Sequence, residues 1–456
     1  MPVCRGVLLC YTPRPMRIAF TTLGCRLNQF ETDAMVRAAQ EAGHQAVGFR
    51  EPADVVVINS CTITHEADAD TRQRVRQAMR RNPDARIAVT GCYANAAPEE
   101  VAALPGVSLV FGNREKDQLP RWLATPKTTA APVLIPPVDL TRRVRLAALK
   151  PATDSGRSRA YLKIQDGCNY RCSFCIVPRV RGRSASLAPA TVLTQLEELL
   201  AAGVPEVVLT GVHLGTYGWD LSPRMSLYDL LAQMLDQIEA SSSGCRLRLG
   251  SLDPHEVDDA LIELFATRPD ALSRYFHLPL QSGDDGVLKR MRRAHTVADL
   301  EALVPRLCEK IPGVAIGTDI IAGFPGESDA AFERTYALLS RLSLAYLHVF
   351  PYSRRAQTDA ATMPGQVPAD VRKARVSRLR KLSHDKAVQF RRAQAGKTHP
   401  AVVYRSRDRQ TGHLVALTDN YVKVHITGSD ELLGRPVTVH IDEGGDQVAT
   451  GRRVDA

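Results

Sequence analysis

The sequence predicts an α/β protein in three parts. An N-terminal parallel α/β domain comes first, then a partial parallel (β/α) barrel, then a small antiparallel β-barrel. Three observations carry this. Between residue 17 and about residue 125, near-continuous apolar strands alternate with helices, the pattern of a parallel sheet covered on both faces. From Ala160 to about Ser353 the alternation resumes at greater length. From Thr398 it gives way to short strands and turns, as in a small closed barrel.

In the first part, Ile18 to Thr22, Val55 to Asn59 and Ile87 to Thr90 read as strands. Gln29 to Ala42 reads as a helix stopped by Gly43, and Thr71 to Arg81 as a basic helix ended before Pro83. Each strand is followed by a cysteine: Cys25, Cys61 and Cys92, two of them directly after glycines. Ligand sites in open parallel sheets gather beyond the carboxyl ends of strands. One such cysteine is readily explained as a small buried apolar residue. Three at the same place in successive βα units point to a metal site.

Residues 126–153 are rich in proline and carry the basic tract Arg142-Arg143-Val144-Arg145, which predicts a linker. Six strands follow: Tyr161 to Ile164, Val207 to Thr210, Arg246 to Gly250, Tyr275 to Leu278, Ala315 to Ile321 and Tyr346 to Phe350. Helices such as Leu193 to Ala202 and Leu227 to Glu239 lie between them. Residues 370 to 396 form a strongly basic helix. The strands Ala401 to Arg405, His413 to Ala416, Tyr421 to Ile426 and Val437 to Ile441 complete the chain. The domains expected are therefore 16–125, 154–390 and 391–456. Met16 is read as the native start, making 1–15 an extension.

The chain has 456 residues and a formal charge of +10, which favours a polyanionic partner. Aromatic residues make up 5%, too few for a large base-stacking platform. Its 10 cysteines show no pairing lattice, and a chain this long needs no staples. The start is not a signal peptide and no apolar stretch approaches a membrane span, so a reducing cytoplasm and no membrane partner are expected.

The chemistry concentrates in Cys168-x3-Cys172-x2-Cys175, just after the first barrel strand. Barrel chemistry sits at the carboxyl ends of strands. Structural zinc wants four closed ligands; zinc completed by distant cysteines is one reading. A four-iron cluster on three cysteines, with one iron open, is the other. Gly317 to Glu327 is a strand running into a Gly/Pro turn, a weak phosphate loop because the Gly-x-Gly-x-x-Gly fingerprint is absent. His277-Leu278-Pro279-Leu280-Gln281-Ser282-Gly283 leaves Gln281 and Ser282 at the mouth. The following Lys289 to Arg293 tract is either a solvated helix face or a phosphate contact.

The exact cysteine spacing, with Phe174 before the last cysteine, resembles the radical S-adenosylmethionine (SAM) superfamily. Leu23-Gly24-Cys25-Arg26-Leu27-Asn28-Gln29, Asn59-Ser60-Cys61-Thr62, Thr90-Gly91-Cys92-Tyr93 and the His277 run together resemble the radical SAM methylthiotransferases. That resemblance covers nearly everything from Met16 onward. It implies an auxiliary [4Fe-4S] cluster on Cys25, Cys61 and Cys92, and a radical SAM [4Fe-4S] cluster on Cys168, Cys172 and Cys175. It further implies SAM contacts from Phe174, Gly211, Gln281, Ser282, Asp319 and Gly323, and a C-terminal barrel similar to the TRAM RNA-binding domain. A low-potential electron donor, a tRNA substrate and a monomeric enzyme follow from the same resemblance, with no catalytic side chain beyond the clusters.

Three branches of the family differ in substrate: isopentenylated adenosine in tRNA, an aspartate of a ribosomal protein, and threonylcarbamoylated adenosine in tRNA. Asn28-Gln29-Phe30-Glu31-Thr32 looks most like the third. The implied reaction is methylthiolation of C2 of the adenine beside the anticodon. A non-catalytic iron–sulfur RNA-binding protein is the alternative of a different class, and it would have no need of the SAM-side segments.

Overall fold

The computed structural model describes residues 14–124, 132–135, 140 and 146–454. Cys4, Cys10 and the Arg142 to Arg145 tract lie outside the described residues, as does all of the expected 1–15 extension except Arg14 and Pro15.

The N-terminal domain contains β1 (Arg17–Thr22), α1 (Arg26–Glu41), β2 (Gln45–Val47), β3 (Val55–Ser60), α2 (His65–Arg81), β4 (Arg86–Gly91), β5 (Val107–Val110) and β6 (Val133–Leu134). The strands form one parallel sheet in the order β2-β1-β3-β4-β5-β6. All six residues of β3 are buried, as its unbroken apolar run requires. Helix α2 begins earlier than its apolar pattern suggests, because the Thr64 hydroxyl accepts from the Ala67 amide. Glu66 and Asp68 in its first turn and Arg80 and Arg81 in its last complement the dipole. The edge strands β2 and β6 have no apolar periodicity to announce them. Both are short and partly exposed, and β6 falls within the segment expected to be linker.

The central part adds β7 (Ala160–Lys163), β8 (Gln165–Asp166), β9 (Ala185–Ser186), β10 (Glu206–Thr210), β11 (Arg246–Arg248), β12 (Tyr275–His277), β13 (Ala315–Ala322) and β14 (Tyr346–Pro351). Two parallel sheets, β7-β10-β11 and β12-β13-β14, are joined by single bridges from Leu247 to Leu272 and Ser251 to His277. The result is a six-stranded partial barrel left open between β7 and β14. Leu162, Leu209, Leu247, Phe276, Ile316 and Leu347 belong to its continuous core. Helix α1 of the N-terminal domain packs against β7, which places that domain at the opening.

Strands β15 (Thr398–Val403), β16 (Leu414–Thr418), β17 (Lys423–Ile426), β18 (Pro436–Glu443) and β19 (Ala449–Val454) close into a barrel in the order β15-β16-β17-β19-β18. The closing strand β19 was not expected: its outward residues, Arg452 and Arg453 among them, are exposed, so no apolar run marks it. This barrel docks under the central one. The Arg248 guanidinium donates to the Thr418 and Asp419 carbonyls at 3.1 and 3.0 Å, and Arg274 pairs with Asp419 at 2.5 Å.

The basic helix runs from Ala369 to Arg392 and lies along β14. Its charge serves mainly the fold. Arg375 pairs with Glu327 and Asp329, Arg378 with Glu333, Lys381 with Asp385 and Arg392 with Asp446. Arg372, Lys386 and Arg391 donate to backbone carbonyls. The helix is thus in large part a strut whose cations neutralise neighbouring acids. Its exposed Lys373 and Arg380 have no partner among the described residues.

Candidate active site

Strands β1, β3 and β4 are neighbours, so the cysteines that follow them meet at one sheet edge. Gly24 and Gly91 precede two of them with φ of +96° and +99°, a region open to glycine but strained for other residues. Space is as tight as conformation. A Cβ on Gly24 would sit 2.8 Å from Cys61 Sγ, and one on Gly91 2.4 Å from the Ser60 carbonyl oxygen. Cys61 and Cys92 are buried, while Cys25 is exposed. Burial pushes the Cys61 thiol up to about 12 and raises that of Cys92, with the neighbouring thiols adding to the shift.

The second triad sits beyond β7, and its loop is pinned at each cysteine. The Cys168 amide donates to the Gly182 carbonyl at 3.0 Å, and the Cys175 amide to the Cys172 carbonyl at 3.0 Å. His213 Nδ1 lies 3.5 Å from Cys168 Sγ, and Arg293 Nη1 donates to Cys172 Sγ at 3.6 Å. Burial lowers the pKa of His213, but its bonds to Cys168 and Glu256 outweigh this and raise it to about 10. Arg293 also pairs with Asp253. Within the Lys289 to Arg293 tract, three arginines are engaged by the protein itself while Lys289 is exposed. Arg290 is tied to the Pro325 and Pro364 carbonyls, and Arg292 to Asp359.

The triads approach each other closely. Cys92 packs with Ile176, the residue after Cys175, and with Val180. Asn113 Nδ2 bridges them, 3.8 Å from Cys92 Sγ and 3.0 Å from the Val180 carbonyl oxygen. Behind this contact lies a buried ionic network that no spacing motif announces. Glu31 of α1 accepts from Lys116, from Lys163 at 2.8 Å and from Arg181 at 2.8 Å. Asp166, two residues before Cys168, accepts from the same Lys163 and Arg181 at 2.7 and 3.1 Å. Arg181 also donates to Asn28 Oδ1 at 2.6 Å. Three cations face two carboxylates, and the excess positive charge of Arg181 favours the thiolates of Cys61 and Cys92.

The remaining expected residues surround the mouth. Phe174 packs edge-on against Phe324 at 6.5 Å. Gly211 lets its turn close on Gln165, whose Oε1 accepts from the Val212 and His213 amides at 2.9 and 2.8 Å. Gln281 has φ +70° and exchanges backbone bonds with Asp319 and Ile321. Ser282 is 1% exposed and faces Thr335, so it braces the turn that presents Gln281. Asp319 Oδ1 is 2.9 Å from His277 Nε2 and 3.2 Å from His348 Nδ1. Gly323 gives room to the Arg372 side chain.

Four thiolates around one zinc at about 2.3 Å would stand roughly 3.8 Å apart. Among the described residues, the one metal-capable trio with ligand atoms all within 4.8 Å of each other is His277, Asp319 and His348. A set of three thiols suits a four-iron cluster with one open iron.

A family model described as the radical SAM superfamily matches residues 162–339, and one described as uncharacterized protein family UPF0004 matches residues 17–112. The chain is 38% identical to the threonylcarbamoyladenosine tRNA methylthiotransferase MtaB of Bacillus subtilis, over 94% of each chain. Its identity to the MtaB of Aquifex aeolicus is 37%, covering 93% of this chain and all of that one. The chain belongs to the radical SAM methylthiotransferases. A tRNA-2-methylthio-N(6)-dimethylallyladenosine synthase from Acidothermus cellulolyticus is 32% identical, over 97% of this chain and 90% of that one. The fold of this methylthiotransferase also matches the radical SAM methyltransferase TsrM of Kitasatospora setae, with TM-score 0.55, 16% identity and coverage of 76% and 77%. No helix among the described residues is long and apolar enough to cross a membrane.

Proposed function

We propose that this enzyme replaces the hydrogen on C2 of N6-threonylcarbamoyladenosine in tRNA with a methylthio group. The observation that carries the reading is the convergence of two cysteine triads at the open side of one barrel, in a chain that matches MtaB proteins over nearly its whole length. Cys25, Cys61 and Cys92 hold the auxiliary cluster; Cys168, Cys172 and Cys175 hold the radical SAM cluster. When bound, the clusters and SAM would supply a carbon-centred radical and the transferred methyl group.

The protein's own residues position and shield. Arg293 and His213 fix the thiols of the Cys168 loop. Glu31, Arg181 and Asp166 lock the two cysteine-bearing elements together in a dry interface. Phe174, Gly211, Gln281, Asp319 and Gly323 wall the SAM side, with Ser282 behind Gln281. Residues 16–125, 154–390 and 391–456 act as the auxiliary-cluster, radical SAM and TRAM-like RNA-binding domains, in a cytoplasmic monomer served by a low-potential electron donor. The C2 carbon is not acidic, so no side-chain base is needed.

Nucleoside mass spectrometry of tRNA from a strain lacking the gene tests the substrate. Loss of the methylthio form, with threonylcarbamoyladenosine retained, is expected. Its persistence, in a strain with no second such enzyme, would contradict the reading.

A further inference from the structure

Five buried arginines have an acidic partner. Arg181 pairs with Glu31, Arg248 with Glu206, Arg293 with Asp253, Arg355 with Asp68 and Arg375 with Glu327. Arg26 does not. It follows Cys25 directly, opens α1, and its helix has no acidic residue in the first turn. Its guanidinium reaches tyrosines at the starts of β7, β12 and β14 and in the C-terminal barrel, where Nη2 donates to Tyr421 Oη at 2.9 Å and the group lies 5.9 Å from that ring. Tyr161, Tyr275 and Tyr346 are its other near neighbours. The phenol oxygens of Tyr275 and Tyr346 are 2.6 Å apart, and Tyr346 stacks on Tyr421 at 6.3 Å. No carboxylate of the described residues pairs with Arg26. A largely desolvated cation left with only neutral phenols is costly unless a ligand brings the countercharge.

We infer that Arg26 is a specificity-determining residue that receives the carboxylate of the substrate's threonylcarbamoyl arm, with the tyrosines as a flat wall beside it. The inference rests on the function proposed above. A base whose C2 reaches the space between the triads carries its N6 substituent with it. On threonylcarbamoyladenosine that substituent ends in a carboxylate, which a guanidinium matches in charge and in its two-pronged geometry. A dimethylallyl arm has no such group. RNA phosphates are the other source of anionic oxygen, and the test separates the two.

Full-length reconstituted wild type, Arg26→Gln and Arg26→Lys would be given anticodon stem-loops that differ only at one adenosine: threonylcarbamoyladenosine, its methyl ester, or dimethylallyladenosine. Fluorescence anisotropy gives Kd, and nucleoside mass spectrometry gives kcat/KM. Wild type should prefer the acid over the ester by roughly 10- to 100-fold, the worth of a charge-assisted bond. Arg26→Gln should treat the two alike, near the wild type's level on the ester, and Arg26→Lys should recover part of the preference. Equal weakening of acid and ester by Arg26→Gln would overturn the inference and point to phosphate or to folding. If Arg26→Gln loses iron, the wild-type arm decides alone: no preference for acid over ester overturns the inference. A wild type that modifies only the dimethylallyl RNA overturns the substrate reading itself, and this inference with it.

Discussion

Glu31 is fully buried and is reached by Lys116 from its own domain and by Lys163 and Arg181 from the barrel. Burial alone would raise its pKa, but attraction from Arg181, Lys116 and Lys163 outweighs this and holds it well below the usual carboxylate range. A carboxyl depressed in the folded state stabilises fully above its unfolded pKa of about 4.3, and that contribution is lost as pH falls toward the folded value. Asp166 is depressed in the same way, with burial again outweighed by Lys163 and Arg181. Stability should therefore decline as pH drops below about 4, and Glu31→Gln should flatten part of the decline, as urea denaturation across pH would show. At neutral pH, Glu31→Gln leaves three cations facing Asp166 alone. A loss of about 3–5 kcal/mol is expected; an unchanged urea midpoint would mean the network does not hold the domains together.

At the scale of elements, the turns from strand to cysteine are the tightest feature. Gly91→Ala would force φ +99° on an L-residue and drive a Cβ into the Ser60 backbone. Destabilisation of about 1–3 kcal/mol or more is expected, with loss of auxiliary-site iron; calorimetry and iron analysis check this. Strands β1, β3 and β4 and the barrel strands were legible because buried parallel strands are unbroken apolar runs; the Cys168 loop was marked by local spacing, and Cys25, Cys61 and Cys92 by their places after successive strands. Strands β2, β6 and β19 were not, since each is short or half exposed and is stabilised by partners distant in sequence. The network of Glu31, Lys116, Lys163, Asp166 and Arg181 was equally hidden: its members lie on separate elements and meet only after the domains dock. The basic helix shows the converse. Its charge was plain in the sequence, but its acidic partners Glu327, Glu333 and Asp446 were not. Arg375→Ala should accordingly destabilise the protein. Lys373→Ala with Arg380→Ala should leave stability within about 0.5 kcal/mol and weaken RNA binding, if that face touches phosphate. Binding unchanged by the double variant would place the RNA elsewhere.

Over the whole molecule, the N-terminal domain closes the barrel's open side and the C-terminal barrel closes its underside. Arg26 of the first part and Tyr421 of the third join the two ends of the chain directly. With a formal charge of +10, affinity for tRNA should fall steeply as salt rises; filter binding across a salt series measures the slope, and a flat response would argue against phosphate contacts. The central claim is that the two triads form one centre with divided labour. Its most direct test follows the products of reconstituted Cys25→Ala supplied with SAM, reductant and threonylcarbamoyladenosine stem-loop. Iron should fall from about eight to about four per chain, SAM should still be cleaved to 5′-deoxyadenosine, and no methylthio nucleoside should form. A Cys25→Ala enzyme that keeps all its iron and still yields the methylthiolated base would contradict the account.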